Sequence, residues 1–204
     1  MIEDFENRLR TKLDPLDAPL TAALPRSDND LNPDWDEPPP PAREAAVLGP
    51  IIKRPSGWTM LLTERSHELA MHSGQVAFPG GRVDATDASP LAAALRETKE
   101  EVGIAREFIE PIGAWDRYRT ITGYHVTPIA ALIEPGFALS TDPREVASVF
   151  EAPLDFLMNP ANHEKREAEF RGRQRFYWAM PWEGHFIWGA TAGMIRALYE
   201  RLYA

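Results

Sequence analysis

The chain has 204 residues, 44% of them hydrophobic, with 22 Lys and Arg against 31 Asp and Glu, a formal net charge of −9 and no cysteine. This length predicts one domain with a sizeable core plus an appendage, and the negative charge argues against a nucleic-acid partner. No apolar run approaches the ~18 residues of a membrane span, and the acidic start is unlike a signal peptide. Without cysteine the chain suits a reducing compartment, so we expect a cytoplasmic protein with no membrane partner.

The N-terminal part of the chain predicts a short helix followed by a tether. Ile2, Phe5, Leu9 and Leu13 lie at amphipathic helical spacing. Residues 25–41 are rich in Asp, Asn and Pro, a composition that favours polyproline II and buries little surface. We expect a spacer or a dimer-wrapping arm, with binding to a partner's aromatic groove as the alternative.

The texture changes near residue 45, which divides the chain into a leader of residues 1–44 and a body of residues 45–204. Apolar runs bounded by turn residues predict strands at 45–53, 58–63, 75–78, 109–118, 124–134, 146–151 and 185–188, and a hairpin of 164–170 with 175–180. A loop is predicted at 65–73, a short helix at 153–158, and a terminal amphipathic helix through Ala192, Ile195, Leu198, Tyr199 and Leu202. Strands and helices alternate without regular βαβ units, which indicates a mixed α/β domain.

A central helix is marked at both of its ends. Ser89 suits the N-cap, Pro90 the first helical position, and Gly103 the position just past the C-terminus. The predicted core-facing stripe consists of Leu91, Leu95, Thr98 and Val102.

The opposite side of this helix gathers three carboxylates. Glu97, Glu100 and Glu101 lie at i, i+3 and i+4, where like charges repel, and Glu101 also faces the unfavourable end of the macrodipole. One interpretation is a solvated acidic face. The other is that Mg²⁺ or Mn²⁺ neutralises the cluster, because hard cations prefer carboxylate oxygens.

The run from residue 78 to residue 104, FPGGRVDATDASPLAAALRETKEEVGI, resembles the Nudix box. That pattern reads Gly, five residues, Glu, seven residues, then Arg-Glu-apolar-x-Glu-Glu-x-Gly-apolar. Residues 96–104 match the second half, with Thr98 at an apolar position. The first half departs, because five residues lead from Gly81 to Asp87 rather than Glu, and eight separate Asp87 from Arg96.

The additional residue is similar to the coenzyme A pyrophosphatase branch of the family. LLTERS at residues 61–66 and GQVAFPGG at residues 74–81 resemble the second signature of that branch, which usually carries Arg where this chain has Ala70. The resemblance runs from about residue 45 to the C-terminus. It implies the Nudix fold, an α/β/α sandwich with a mixed β-sheet.

The resemblance also implies a hydrolase in which water attacks phosphorus, with Mg²⁺ or Mn²⁺ shielding the phosphate oxygens and lowering the pKa of a bound water. Glu97, Glu100 and Glu101 match the metal-ligand positions, although one of them is an alternative base. Arg96 is expected to hold a glutamate by a bidentate pair. Glu145 is a further candidate base, by analogy with relatives that place one in a late loop.

Phosphate contacts are expected from the backbone of Gly80 and Gly81 and from arginine side chains. The candidate arginines are Arg54, Arg65, Arg82, Arg117 and Arg119, with Arg65 preferred because it lies inside the second signature. Asp84 and Asp87 either extend the metal site or hold the loop before the helix, and the structural role is the usual one. His72 and His125 are expected to form local hydrogen bonds rather than to act as ligands. Trp115 is a candidate for stacking on an adenine.

The leading substrate is coenzyme A, cut into 3′,5′-ADP and 4′-phosphopantetheine. Ala70 leaves open a hydrolase of ADP-ribose or another nucleoside diphosphate derivative. A protein that kept the fold but lost turnover is the third interpretation, although all three glutamates are present. The expected partners are a small-molecule diphosphate and, as one option, a second copy of the chain in a homodimer.

Overall fold

A computed structural model describes residues 4–18, 26–35, 40–67 and 74–204. Some sequence predictions lie outside these residues, namely those that involve Ile2, Pro25, Pro38, Pro39, Ala70 and His72.

Within the described residues the secondary structure follows the predicted alternation. The helices are α1 (Phe5–Lys12), α2 (Pro90–Val102), α3 (Leu154–Leu157) and α4 (Gly189–Tyr203). The strands are β1 (Arg26–Ser27), β2 (Arg43–Arg54), β3 (Gly57–Arg65), β4 (Val76–Ala77), β5 (Gly80–Arg82), β6 (Ile109–Ala114), β7 (Tyr118–Arg119), β8 (Tyr124–Ile133), β9 (Val146–Pro153), β10 (Glu164–Phe170), β11 (Arg173–Trp182) and β12 (His185–Trp188). No helix in this part of the chain is long and apolar enough to cross a membrane.

The central sheet is mixed and brings the Gly-Gly turn to its middle. Strand β2 pairs in parallel with β8 and antiparallel with β3. Beyond their hairpin β2 and β3 separate, because β5 pairs with β2 while β4 pairs with β3. The chain that runs from β4 to β5 therefore places Gly80 and Gly81 between the two central strands.

Successive side chains along the strands of the central sheet pack alternately into two separate cores. On β3, Leu61 faces the core that α2 covers through Ala93 and Ala94, and we call this the α2 face. Met60 and Leu62 face the other core, which contains α1, α3, α4 and the inner side of a second sheet, and we call this the α4 face. The expected arrangement of a mixed sheet between helical layers is present.

The second sheet has three antiparallel strands in the order β10-β11-β12. Strand β11 contributes Met180 and β12 contributes Ile187 to the core of the α4 face. Strand β10 pairs only with β11 among the described strands, and all seven of its residues are exposed. It is therefore an open edge of the molecule.

The described parts of the leader pack on the body instead of standing off as a spacer. Phe5 and Leu9 on α1 are fully buried, and the ring of Phe5 lies 6.0 Å from that of Trp58. A Cβ added to Gly113 would lie 2.7 Å from the Cβ of Leu13, so β6 needs a glycine where Leu13, just after α1, packs against it. The division at residue 45 stays a prediction, but the core extends across it.

One predicted strand is broken in the structure. Residues 109–118 form β6 and then β7, with Trp115 between them and an irregular register between Pro111 and Gly113. The bulge and the burial of Trp115, which is 1% exposed, interrupt the ladder. Apolar composition alone does not reveal such a break.

Candidate active site

Helix α2 carries the three glutamates and is capped as its sequence predicts. The Ser89 hydroxyl accepts a hydrogen bond from the Ala92 N–H at 3.2 Å, and Gly103 adopts a left-handed conformation with φ of 76°. Ala93, Ala94 and Val102 hold the helix on the α2 face. The carboxylates of α2 thereby point toward the Gly-Gly turn, and we call this edge of the α2 face the rim.

Glu101 is the buried member of the set, with only 5% of its side chain exposed. Its Oε2 accepts a hydrogen bond from the Gly80 N–H at 3.0 Å, and its Oε1 lies 3.7 Å from the Arg65 guanidinium. Burial raises the pKa of Glu101 to about 7, and the charges of Glu97 and Glu145 add to this effect. The carboxylate therefore sits in a place where a further positive charge is favourable.

Glu97 occupies space that Gly81 leaves free. A Cβ on residue 81 would lie 2.6 Å from the Glu97 carboxyl group, so any larger residue displaces that group. Burial is the main cause that raises the pKa of Glu97, while the hydrogen bond from Arg96 opposes the rise. The two glycines thus have different roles. The Gly80 N–H donates a hydrogen bond to the Glu101 carboxylate, and Gly81 leaves space for the Glu97 carboxylate.

Arg96 joins the loop before the helix to the glutamates. Its Nε and Nη2 donate to the two carboxylate oxygens of Asp87 at 3.1 and 2.9 Å, and its Nη1 donates to Glu97 at 2.9 Å and Glu100 at 3.1 Å. Its Nη2 also donates to the Arg82 carbonyl at 3.2 Å. The bidentate pair forms with Asp87, where the Nudix box usually has Glu, and its hydrogen bonds lower the pKa of Asp87.

The remaining predicted carboxylates differ in their exposure and contacts. The side chain of Glu100 is 60% exposed. The carbonyl of Glu145 accepts a hydrogen bond from the Ser66 N–H at 2.8 Å, next to Arg65, and its charge raises the pKa of both Glu97 and Glu101. The structure therefore brings Glu145 to the helix carboxylates from a distant part of the chain. The Asp84 N–H donates to the Asp87 carboxylate, which is a loop-holding contact.

The candidate arginines differ in whether they contact the glutamates of α2. Arg65 reaches Glu101, and Arg82 extends from β5 with no hydrogen bond or ion pair from its side chain to any described residue. Arg117 is paired with Glu44, whose other oxygen lies 3.9 Å from His125.

Two predictions are wrong on geometry. Arg54 lies at the far hairpin end of β2, where its guanidinium binds both carboxylate oxygens of Glu151 at 3.0 and 2.6 Å. Trp115 is buried, and its indole N–H donates to the Met194 carbonyl at 3.0 Å, so its ring is not available to stack on a substrate.

The donor chemistry of this cluster fits a hard divalent cation. Glu97, Glu100, Glu101 and Glu145 supply only oxygen ligands, and Glu101 is a desolvated carboxylate whose nearest cation is 3.7 Å away. Among the residues that the structure describes, no three such groups already form a metal-binding geometry.

A cavity of about 560 Å³ opens on the α4 face. Its walls come from the second sheet, the start of α4, the loop after β7 and residues 26–31 of the leader. The sequence does not reveal this site, because its aromatic residues match core positions and its leader residues carry no motif. The Asp-rich composition near Asp28 was the available signal, and it indicated a tether instead.

The sequence of this chain is similar to those of one family of known proteins. The family pattern described as the NUDIX domain matches residues 42–186. The chain is 46% identical over 156 residues to NudL of Escherichia coli K12, named as an uncharacterized Nudix hydrolase, which covers 76% of this chain and 81% of NudL. NudL of Shigella flexneri serotype 5b is 44% identical over 168 residues, covering 82% of this chain and 87% of that protein.

Among solved structures, the NUDIX domain of Shewanella oneidensis NrtR, complexed with ADP ribose, superposes with a TM-score of 0.53. The two are 18% identical, over 85% of this chain and 94% of that one. At this identity the likeness shows the fold alone, and it confirms the predicted α/β/α sandwich.

Proposed function

This chain belongs to the NUDIX domain family and is a Nudix hydrolase, and from that premise we propose that it cleaves the pyrophosphate bond of coenzyme A or its derivatives. The products are 3′,5′-ADP and 4′-phosphopantetheine. The observation that carries the proposal is the buried Glu101 carboxylate, bound by the Gly80 N–H and surrounded by Glu97, Glu145 and Arg65. Such a cluster suits hydrolysis of a highly anionic bond.

Glu97, Glu100 and Glu101 are the residues that would hold Mg²⁺ or Mn²⁺. When bound, the cation shields phosphate oxygens and lowers the pKa of a bound water. The acidic cluster could not otherwise accept a diphosphate, because its own charges repel the substrate.

The other residues position the groups that react. Arg96 fixes Glu97 and Glu100 relative to the loop through its bonds to Asp87, and is a positioning residue. The arginines Arg65 and Arg82 bind phosphate oxygens of the substrate. Glu145 accepts the proton of the attacking water on its carboxylate, because it lies outside α2 and its charge acts on both Glu97 and Glu101.

The preference for coenzyme A rests on the sequence resemblance at residues 61–66 and 74–81. Ala70 favours the alternative, ADP-ribose or another nucleoside diphosphate derivative, because a guanidinium usually stands at that position in the coenzyme A branch. Both substrates contain an ADP moiety and the same kind of pyrophosphate bond. The cytoplasmic location and the homodimer stay predictions.

A substrate panel tests the proposal. Coenzyme A, dephospho-coenzyme A and ADP-ribose are each incubated with the protein and Mg²⁺ or Mn²⁺, and the products are identified by mass spectrometry. We expect the highest kcat/KM for coenzyme A, with 4′-phosphopantetheine among the products. A higher value for ADP-ribose would establish the alternative, and no turnover of any diphosphate would contradict the proposed function.

A further inference from the structure

The cavity on the α4 face has the size and lining of a small-molecule site. Its volume of about 560 Å³ falls in the range of ligand pockets, which are mostly apolar with a few polar groups. Five aromatic residues contribute to its walls, namely Phe170, Phe176, Tyr177, Trp178 and Trp188. Aromatic side chains of this kind stack on planar heteroaromatic rings such as nucleobases.

A backbone hydrogen bond links the wall of the cavity to a residue that contacts the glutamate cluster. Gln75 and Val76 line the cavity, and the Gln75 carbonyl accepts a hydrogen bond at 2.9 Å from the N–H of Arg65, whose guanidinium lies 3.7 Å from the Glu101 carboxylate. Arg82 pairs with Ala45, whose side chain belongs to the core of the α4 face. The wall of the cavity is therefore connected to the glutamate cluster through Gln75 and Arg65.

One wall of the cavity comes from outside the family domain. We call residues 26–32 the strap. Arg26, Ser27, Asp28, Asp30 and Leu31 line the cavity, whereas the NUDIX domain begins at residue 42. The strap is thus a part of the leader that reaches a site in the body.

Hydrogen bonds hold the first half of the strap in place. The half-buried Asp28 carboxylate accepts bonds from the Tyr118 hydroxyl at 2.9 Å and the Ile121 N–H at 2.8 Å. Arg175 donates to the Asp28 carbonyl at 2.9 Å. Strand β1 continues this attachment by pairing in parallel with β7.

The second half is held by Asn32. Its amide donates to the Phe176 carbonyl at 2.9 Å, and its Oδ1 accepts from the Phe176 N–H at 2.8 Å. Phe176 lies in the part of β11 that does not pair with β12, and Asn32 bonds both of its backbone polar groups. Leu31 is therefore fixed at the cavity between two anchored residues.

We propose that the strap is a specificity wall for the nucleobase of the substrate, with Leu31 as the residue that contacts the base. This inference rests on the proposed function, since it assigns the cavity to the nucleoside part of a nucleoside diphosphate derivative. Leu31 offers the apolar contact that a base edge or ring requires, while the rings of β11 and β12 supply stacking surfaces. Variation in the strap then changes which base is accepted without changing the glutamates.

The test uses adenosine 5′-phosphate, which has the base but no pyrophosphate bond to cleave, and ribose 5-phosphate, which lacks the base. Isothermal titration calorimetry gives Kd for the full-length chain and for Leu31→Trp, which fills the cavity wall. Asp34→Trp is the matched control, because Asp34 is exposed nearby in the leader and does not line the cavity. Thermal unfolding of each variant shows that it is folded.

We expect Leu31→Trp to raise the Kd for adenosine 5′-phosphate by tenfold or more and to leave the Kd for ribose 5-phosphate unchanged. We expect Asp34→Trp to bind both compounds with the wild-type Kd. In the hydrolysis assay Leu31→Trp should raise KM with kcat changed less than twofold. If Leu31→Trp does not fold, Leu31→Ala replaces it, with a severalfold weaker Kd for the nucleotide alone.

A folded Leu31 variant with wild-type affinity for adenosine 5′-phosphate would overturn the inference. So would a wild-type chain that binds the nucleotide no better than ribose 5-phosphate. Both results can occur while a diphosphate is still hydrolysed, which leaves the proposed function intact. Conversely, selective loss of nucleotide binding in Leu31→Trp supports the strap even if every diphosphate in the panel resists hydrolysis.

Discussion

The two faces of the central sheet carry opposite kinds of chemistry. The α2 face ends at a rim where Glu97 and Glu101 are crowded against a Gly-Gly turn, and burial raises the pKa of both groups. The α4 face holds an aromatic cavity and the larger apolar core, which includes Phe5. The same strands support both, because neighbouring side chains point to opposite sides. Changes on one face should therefore affect turnover, and changes on the other should affect stability or substrate choice.

The largest effect is expected on the α2 face. Glu101→Gln should lower kcat on the order of 10²-fold or more, because a lost metal interaction is worth several kcal/mol. Its melting temperature without metal should stay level or rise, since the charge repulsion from Glu97 and Glu145 disappears. Steady-state kinetics and thermal unfolding in EDTA measure the two quantities. Full activity with normal metal dependence would contradict the assignment of this cluster.

On the α4 face we expect the reverse. Phe5→Ala should lower the free energy of unfolding by about 3–5 kcal/mol, the usual cost of truncating a buried phenylalanine. The kcat of the folded fraction should change less than about twofold, because Phe5 contacts Trp58 and not the glutamates. Urea unfolding and activity at low temperature check this. A stability loss below about 1 kcal/mol would show that α1 does not form part of the core.

A smaller effect is expected at Arg96, where a substitution separates the geometry of the guanidinium from its charge. Arg96→Lys keeps the positive charge but loses the fork that bonds Asp87 at two oxygens, so we expect kcat to fall about tenfold with little change in KM. The control is Arg144→Lys, at a side chain 85% exposed and paired with Asp142. Equal kinetics in the two variants would mean that Arg96 does not position the glutamates.

The smallest expected effect is a pH dependence on the α4 face. His163 is buried, its ring lies 2.7 Å from the Leu157 carbonyl, and burial lowers its pKa. The unfolded chain then binds the proton more readily, so stability contributed by neutral His163 is lost as pH falls through the ordinary histidine pKa of about 6.5. Melting temperatures at pH 7.5 and 5.5 should differ more in the wild type than in His163→Gln. An identical difference in both proteins would assign the acid sensitivity to other groups.

The sequence allowed accurate prediction where the determinants are local. Helix α2 begins after Ser89 and ends before Gly103 because caps act within a few residues. The three glutamates with metal-ligand spacing also lie on that helix, and their i, i+3 and i+4 spacing alone places them on one side of it. The position of Glu145 depended on the resemblance, since its approach to α2 requires β3 and β9 to pair.

Prediction failed where partners are far apart in the chain. Asp28 and Asn32 lie in a segment whose composition is typical of a tether, yet their partners Tyr118 and Phe176 are 90 and 144 residues away. The charge of Arg54 predicts a phosphate contact, and only the pairing of β3 with β9 reveals its partner Glu151. Composition describes what a segment prefers alone, whereas tertiary contacts decide its final state.

The open edge at β10 has a consequence for self-association. Five of its seven residues are charged, with both signs represented, in the run Glu164-Lys165-Arg166-Glu167-Ala168-Glu169-Phe170. An exposed edge offers unpaired backbone groups to any other extended chain, and charged side chains oppose that pairing because they must be desolvated. Strand β10 is thereby protected against forming a continuous intermolecular sheet. A homodimer of this chain would use a different surface, and concentrated solutions should resist aggregation through this strand.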